Sequence, residues 1–266
     1  MTKEELERVL SEHWRWLDSG KSVGRPANLA GVSLEGACLR EFVLQEVDLR
    51  GADLENADLR EAELNGCNLE GANLKSAKLG GADLRRAILR RADLQCADLD
   101  AADLGGANLE GVFAKGAHLG GSDLRKANMR EAHLSETDLW GADLRETDLR
   151  EAHLRSAVLR GVKLQNADLG DAHLHEADLG HANAQGADFQ GAHLRGADLR
   201  HAQLQHALLR DADLRGADLR DADLQDADLR GANLQGSKYE GTDFPRTNIK
   251  GTVLDSSHPL AAINEN

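Results

Sequence analysis

The sequence predicts an all-β solenoid, a coil with flat sides that encloses leucine and alanine, and two observations support this class. A five-residue phrase close to Ala-Asp-Leu-Arg-Gly recurs in 46 versions without a change of register, and its centre falls at every fifth position from Leu29 to Leu254. A small residue, most often alanine, stands two places before each centre, beginning with Ala27. Each phrase therefore supplies two inward residues and then a corner.

Regular helices and plain strands are both excluded by the five-residue spacing. In an α-helix, leucines five residues apart would move around the axis by about 140° per phrase and would form no stripe. In a plain strand, which alternates faces with period two, an odd repeat would send successive leucines to opposite faces. Only a chain that turns a corner after each inward pair keeps all of them inside.

The phrase resembles the repeat of the pentapeptide-repeat family, and the resemblance covers residues 27–254. It implies a right-handed, four-sided parallel β-helix with 20 residues per coil. The sequence carries independent signs of that longer period, since histidine and glutamine each recur at 20-residue intervals, as in His133, His153, His173 and His193 and in Gln165, Gln185, Gln205 and Gln225. The 46 phrases would make about 11.5 coils, a rod roughly 55 Å long at about 4.8 Å per coil.

Two terminal segments lie outside the repeat. Residues 1–26 are predicted to form an amphipathic helical cap that begins with a capping box at Thr2 and Glu5. Its apolar face is predicted to cover the open edge of the first coil, although a helix that binds a partner is the alternative; the residues of this face are Leu6, Val9, Leu10, Trp14 and Leu17. Residues 255–266 are interpreted as a C-terminal tail, either a second cap or a patch for homodimer contact through that end, as in relatives that dimerise.

Composition narrows the class of protein. The 266 residues carry a formal net charge of −14, which argues against direct binding of nucleic acid. The three cysteines, Cys38, Cys67 and Cys96, form no disulfide framework, and only Cys67 replaces an inward alanine. With no signal-peptide run and no stretch of 18 apolar residues, we expect a cytoplasmic protein that does not enter a membrane.

Catalytic chemistry is not indicated. The sequence has no recognisable set of nucleophile, base and oxyanion donors, no glycine-rich phosphate loop and no zinc-ligand spacing. A filled solenoid also offers no deep pocket. We therefore expect neither enzymatic activity nor a cofactor. Two phrase centres are too small for a leucine ladder, Ala114 and Ala184, and larger residues near them, Phe189, Phe113 or Met129, are expected to fill the gaps.

The histidine column formed by His133, His153, His173 and His193 has three interpretations. It could be the product of coil duplication with histidine in place of aspartate. It could bind metal, although no carboxylate or thiolate completes a ligand set at fixed spacing. It could also respond to pH, because crowded imidazoles repel one another once they are charged.

The acidic balance suggests a second function. Several members of the family resemble duplex DNA in shape and charge, bind DNA gyrase or topoisomerase IV and protect these enzymes from inhibitors such as quinolones. One face here carries a ladder of Asp83, Asp103, Asp123 and Asp143. Arginines two residues after most of these carboxylates weaken that interpretation, and the alternative is a solvated face of charge pairs.

Two further surfaces stand out. Between Leu164 and Leu194 there is no lysine or arginine, so this stretch is predicted to be the most negative band, with carboxylates at Asp168, Asp171, Glu176, Asp178 and Asp188. Trp140 is predicted to face outward beside Val158 and Arg160, either as a cation–π pair with Arg160 or as an interface anchor. The sequence thus favours a non-catalytic rigid rod that binds an unidentified protein, with a DNA mimic that binds a type II topoisomerase and a structural spacer as alternatives.

Overall fold

The computed structural model describes residues 3–254, which form one helix followed by a continuous coil. Helix α1 spans Lys3–Asp18. From residue 27 onward the chain winds as a parallel solenoid in which each outward residue bridges the residue 20 positions later, from Asn28↔Asp48 to Asn233↔Val253. Each side of a coil contributes one such bridge, so the β-structure consists of single-residue bridges and contains no longer strand. The 20-residue coil with four sides agrees with the sequence prediction.

Backbone hydrogen bonds fix this register. The amide of each phrase centre donates to the carbonyl 19 residues later, as from Leu29 N to Asp48 O at 2.7 Å, and the amide of Asp48 donates back to Ala27 O at 3.2 Å. Within a coil, the amide of the small inward residue donates to the centre three residues before it, as from Val32 N to Leu29 O at 3.1 Å. The first set of bonds stacks the coils, and the second closes each corner.

The corners explain the choice of residues between phrases. The second corner residue has a left-handed backbone, with φ of 58° at Glu46 and 60° at Gly51. Glycine adopts this conformation without strain, whereas other residues adopt it at a small cost. The outward aspartate or asparagine helps to hold the corner, because its side-chain oxygen accepts the amide hydrogen two residues later, as in Gly170 N to Asp168 Oδ1 at 3.0 Å.

The interior is a column of leucine and alanine that is almost completely buried. The small centres Ala114 and Ala184 are buried too, and Phe189 and Met129 lie in the same core. Phe113 was wrongly expected as a filler. It occupies the outward position of its phrase and is 41% exposed. Cys67 is buried, which raises the pKa of its thiol, while Cys38 and Cys96 are exposed, and all three thiols are free.

Helix α1 packs on the first coil. Leu6 and Leu10 join the solenoid core, and Val9 packs against it. The prediction was wrong for Trp14, which is 54% exposed, because it lies about 80° around the helix from Leu6. His13 takes its place on the buried stripe. Gly24, with a φ of 86°, lets the following linker run against Glu12 and Trp16, where a Cβ would collide with the helix backbone.

Two predicted features at the chain termini cannot be compared with the structure. The C-terminal tail, residues 255–266, and the Thr2 end of the predicted capping box lie outside the described residues. No helix within 3–254 is long and apolar enough to cross a membrane.

Candidate interaction surfaces

Trp140 is the most exposed large apolar side chain in the described part of the solenoid, at 62%. It stands at a corner with Gly120 and Gly121 one coil before, Gly141 immediately after it, and Arg160 and Gly161 one coil after. Its amide donates to Asp138 Oδ1 at 3.0 Å, which fixes the corner. On the side of the preceding coil, the indole therefore has only glycine beside it at the corner.

The neighbours of Trp140 do not cover it. Val158, on the adjoining flat side, is itself 38% exposed. Of the two alternatives for Trp140, the cation–π pair with Arg160 is not formed. Within residues 3–254 the cation–π contact is that of Lys21 Nζ, which lies 5.1 Å from the ring centroid of Trp16. Arg160 also forms no ion pair with another residue of that range. Trp140, Val158 and Arg160 thus form an unpaired corner, which we call the Trp140 corner.

The aspartate ladder is in register but largely neutralised. Successive members bridge one another from Asp83 to Asp143. Arg85 Nη2 lies 2.5 Å from Asp83 Oδ2, Arg125 makes the same contact with Asp123 at 2.5 Å, and Arg145 with Asp143 at 2.7 Å. Asp103 lies 3.6 Å from Arg85.

These arginine pairs have a local cause. In the phrase Asp-Leu-Arg, the aspartate and arginine flank an inward leucine, so both side chains stay outside. The hydrogen bond from Arg85 lowers the pKa of Asp83, and that from Arg125 lowers the pKa of Asp123. Because each carboxylate also caps its own corner, much of the acidic composition serves the fold. The ladder does not present a continuous negative surface.

In the band between Leu164 and Leu194, two of the five carboxylates are paired with cations from the preceding coil. The preceding coil brings Arg150 to 3.5 Å from Asp168 and Arg155 to 3.4 Å from Glu176. Asp171, Asp178 and Asp188 make no ion pair within residues 3–254. The five carboxylates are also spread around the rod, since a stretch of that length passes every side of a 20-residue coil.

The histidine column is brought together as a stack. The ring centroids of His133 and His153 lie 4.9 Å apart, and those of His153 and His173, and of His173 and His193, lie 4.8 Å apart, with interplanar angles between 1° and 13°. Phe113 extends the stack below His133 at 4.8 Å. His175, which sequence reasoning missed, lies 5.6 Å from His193.

Carboxylates stand beside this stack. A groove of about 630 Å³ is lined by the stacked rings together with Arg91, Glu131, Glu151 and Asp171. Parallel rings do not point their nitrogens at a common centre, and no group of three metal-ligand residues in the described range is arranged to hold an ion. Burial, followed by the charge of neighbouring histidines, lowers the pKa of His133 and His173.

A 20-residue coil of four five-residue phrases around a leucine core defines a parallel β-solenoid. The chain belongs to the pentapeptide-repeat family: the family model described as Pentapeptide repeats (8 copies) matches residues 27–66, 67–106, 102–141, 141–175, 172–211, 197–236 and 227–257. A comparison with curated proteins finds no match.

Several solved structures are similar. HetL, a pentapeptide repeat protein involved in heterocyst differentiation regulation in the cyanobacterium Nostoc sp. strain PCC 7120, is 32% identical over 92% of this chain and 96% of its own, with a TM-score of 0.53. A pentapeptide repeat protein of the Arabidopsis thaliana thylakoid lumen is 37% identical over 35% of this chain and 66% of its own, with a TM-score of 0.35. QnrB1, a plasmid-mediated fluoroquinolone resistance protein, is 23% identical over 81% of this chain and 92% of its own, with a TM-score of 0.30.

Proposed function

We propose that this protein is a non-catalytic rigid rod that binds a protein partner through the Trp140 corner. The observation that carries the proposal is the 62% exposure of the Trp140 indole at a corner beside glycines. Tryptophan and arginine are the residues most enriched among those that dominate binding energy at interfaces. Here the two types lie one coil apart, and Arg160 has no ion partner within residues 3–254.

The shape of the corner indicates the kind of partner. Because Gly120, Gly121, Gly141 and Gly161 carry no side chains, a partner can approach the indole from several directions. The corner is convex, so the complementary surface is an apolar pocket that receives the indole, with an acidic group placed to meet Arg160. A buried tryptophan at the centre of such a contact is worth about 2 kcal/mol or more.

The solenoid supports this function by being rigid. The leucine column beneath the corner is fully buried, and backbone hydrogen bonds join each coil to the next. A surface that is already ordered loses little conformational entropy on binding, so more of the contact energy appears as affinity.

The proposal can be tested by affinity capture from extract of the source organism, followed by measurement of the dissociation constant for each captured protein. The wild-type chain is compared with Trp140→Ala and with Trp14→Ala. Trp14 is a matched control because it is an equally large indole that is 54% exposed on the cap. We expect Trp140→Ala to weaken binding of a specific partner by about 30-fold or more, while Trp14→Ala leaves it unchanged.

Two results would contradict the proposal. Equal affinity of the partner for wild type and Trp140→Ala would remove the corner from the interface. No specific partner for the wild-type chain would favour the structural spacer.

A DNA mimic that binds a type II topoisomerase is the second candidate function. It is supported by the net charge of −14 and by Asp171, Asp178 and Asp188, which have no ion partner within the described coils. The arginine pairs along Asp83–Asp143 weigh against it. Inhibition of gyrase supercoiling by the wild-type chain that weakens in Asp178→Asn/Asp188→Asn would favour mimicry. No inhibition at tens of micromolar, with or without a quinolone, would exclude it.

A further inference from the structure

His13 is the one fully buried histidine of the described chain, and it lies between α1 and the first coil. Its Nδ1 accepts a hydrogen bond from the amide of Ala27 at 3.1 Å, and its Nε2 lies 2.8 Å from the carbonyl oxygen of Gln45. An amide N–H can only donate and a carbonyl can only accept. These two partners therefore require a neutral ring with its hydrogen on Nε2.

The register of the solenoid explains why both partners need His13. In later coils, the amide of the second corner residue donates to the carbonyl 19 residues later, as from Glu46 N to Asn65 O at 3.1 Å. The same rule would assign Gln45 O to the amide of residue 26. That residue is Pro26, which has no N–H.

The amide of Ala27 lacks its usual partner as well. In later phrases, the equivalent amide donates to the phrase centre three residues before it. For Ala27 that position is Gly24, which precedes the first phrase and lies in the linker beside α1. One imidazole thus satisfies a donor and an acceptor that a preceding coil would otherwise have satisfied.

We propose that His13 makes the docking of α1 on the first coil dependent on pH, so that the helix is docked while the imidazole is neutral and is released when the imidazole is protonated. Protonation places a hydrogen on Nδ1, directly opposite the amide hydrogen of Ala27. That amide then loses its acceptor in a buried place, and the ring carries a charge that is out of contact with water.

The charges around His13 do not offset the cost of burying a protonated imidazole. Glu46, at the end of the first coil, favours the charged ring, but its carboxylate is held at 2.7 Å by Lys21 of the linker. On α1 itself, Glu12 is paired with Arg15 at 3.0 Å, and the Trp16 ring stacks on His13 at 5.6 Å. Burial outweighs the hydrogen bond to Gln45 and the charge of Glu46, so the pKa of His13 lies below the usual 6.5.

The direction of the pH effect follows from this lowering. Between the folded-state pKa and about 6.5, the released state binds a proton that the docked state does not. The contribution of His13 is therefore complete above pH 6.5 and decreases as the pH falls. One proton taken up on release makes the opening equilibrium grow by about tenfold per pH unit within this window.

Hydrogen exchange measured by residue provides the test. Protection of the α1 amides, Lys3–Asp18, is compared between pH 7.5 and pH 5.5 after correction for the intrinsic exchange rate. Residues 69–94 contain no histidine, lie beyond the partners of α1 and serve as an internal reference. In the wild-type chain, we expect α1 protection to fall by up to about tenfold per pH unit below 6.5, while protection in 69–94 stays constant.

Two variants isolate His13. His13→Gln keeps a donor for Gln45 O but does not titrate, so its α1 protection is expected to be lower than wild type at pH 7.5 and independent of pH. His118→Gln, a substitution on the outer surface, is expected to retain the wild-type pH dependence. Constant α1 protection in wild type, or an unchanged pH dependence in His13→Gln, would overturn the proposal.

If α1 of the His13→Gln variant does not dock at any pH, a second measurement on the wild-type chain tests the proposal. The imidazole ¹⁵N shifts of His13 in the wild-type chain are expected to show hydrogen on Nε2 and a midpoint below 6.5. Hydrogen on Nδ1, or titration at or above 6.5, would exclude the mechanism.

Discussion

The middle of the solenoid and its N-terminal end satisfy their buried polar groups in different ways. Between Leu44 and Leu234, backbone amides and carbonyls of each coil bond to equivalent positions in the neighbouring coils. No single polar side chain is therefore essential there. At the first coil the repetition stops, and the unmatched groups are satisfied by His13, which lies in α1 and outside the repeat. Repetition makes the middle tolerant of substitution on its surface, whereas the end depends on particular residues.

The largest effect is expected in the middle, where Phe189 is the largest fully buried side chain. Phe189→Ala should cost about 3–5 kcal/mol, because the lost ring leaves a cavity that stacked coils cannot close. Phe113→Ala is the matched control, since this ring lies outside and is 41% exposed. Urea unfolding monitored by circular dichroism measures both. Equal losses of unfolding free energy for the two variants would contradict the placement of Phe189 inside and Phe113 outside the solenoid.

The second-largest effect is expected at the N-terminal end of the solenoid, in the docking of α1. Leu10→Ala should weaken docking of α1 by about 2–3 kcal/mol, since Leu10 is buried in the core cluster. Trp14→Ala should have little effect because that ring faces solvent. Hydrogen exchange of α1 measures docking directly. A larger loss of α1 protection in Trp14→Ala than in Leu10→Ala would show that α1 packs on the coil through a different face.

A smaller effect is expected where a side chain supplements the repeated hydrogen bonds. The buried Thr137 hydroxyl donates to Ala114 O at 3.0 Å, but this carbonyl also accepts the amide of Ala117. Thr137→Val should therefore cost only about 1 kcal/mol, and Thr137→Ser, which keeps the hydroxyl, should retain that bond. A Thr137→Val protein as stable as wild type in urea would mean that repetition alone satisfies Ala114.

The smallest effect concerns the histidine stack. Burial and neighbouring imidazoles lower the pKa of His173, so its contribution to stability is complete above pH 6.5 and declines as the pH falls. His173→Asn, which places the asparagine common in this position, should narrow the difference in urea midpoint between pH 7.5 and pH 5.5. An unchanged difference would assign the acid sensitivity to other groups.

Much of the fold could be predicted because five-residue spacing leaves few solutions. Leu34 and its equivalents identify the interior, and the 20-residue recurrence of His133 and its partners identifies the coil. Surfaces were harder to predict. Asp168 appeared unpaired along the sequence, but its cation comes from Arg150 in the preceding coil. His13 was missed because hydrophobicity favoured Trp14, although the spacing of Leu6, Leu10 and His13 marked the buried stripe.

The sequence by itself determined the repeat, the solenoid class and the inward residues, because these depend on periodicity and on the exclusion of apolar side chains from water. Periodicity alone placed Trp140 outside, since it occupies a corner position of its phrase. Only the tertiary structure decided which charges are paired, that the histidine nitrogens do not converge, and that His13 completes the first coil. Such contacts join residues of different coils, or of the cap and a coil, at distances set by stacking and side-chain conformation. No local pattern encodes them.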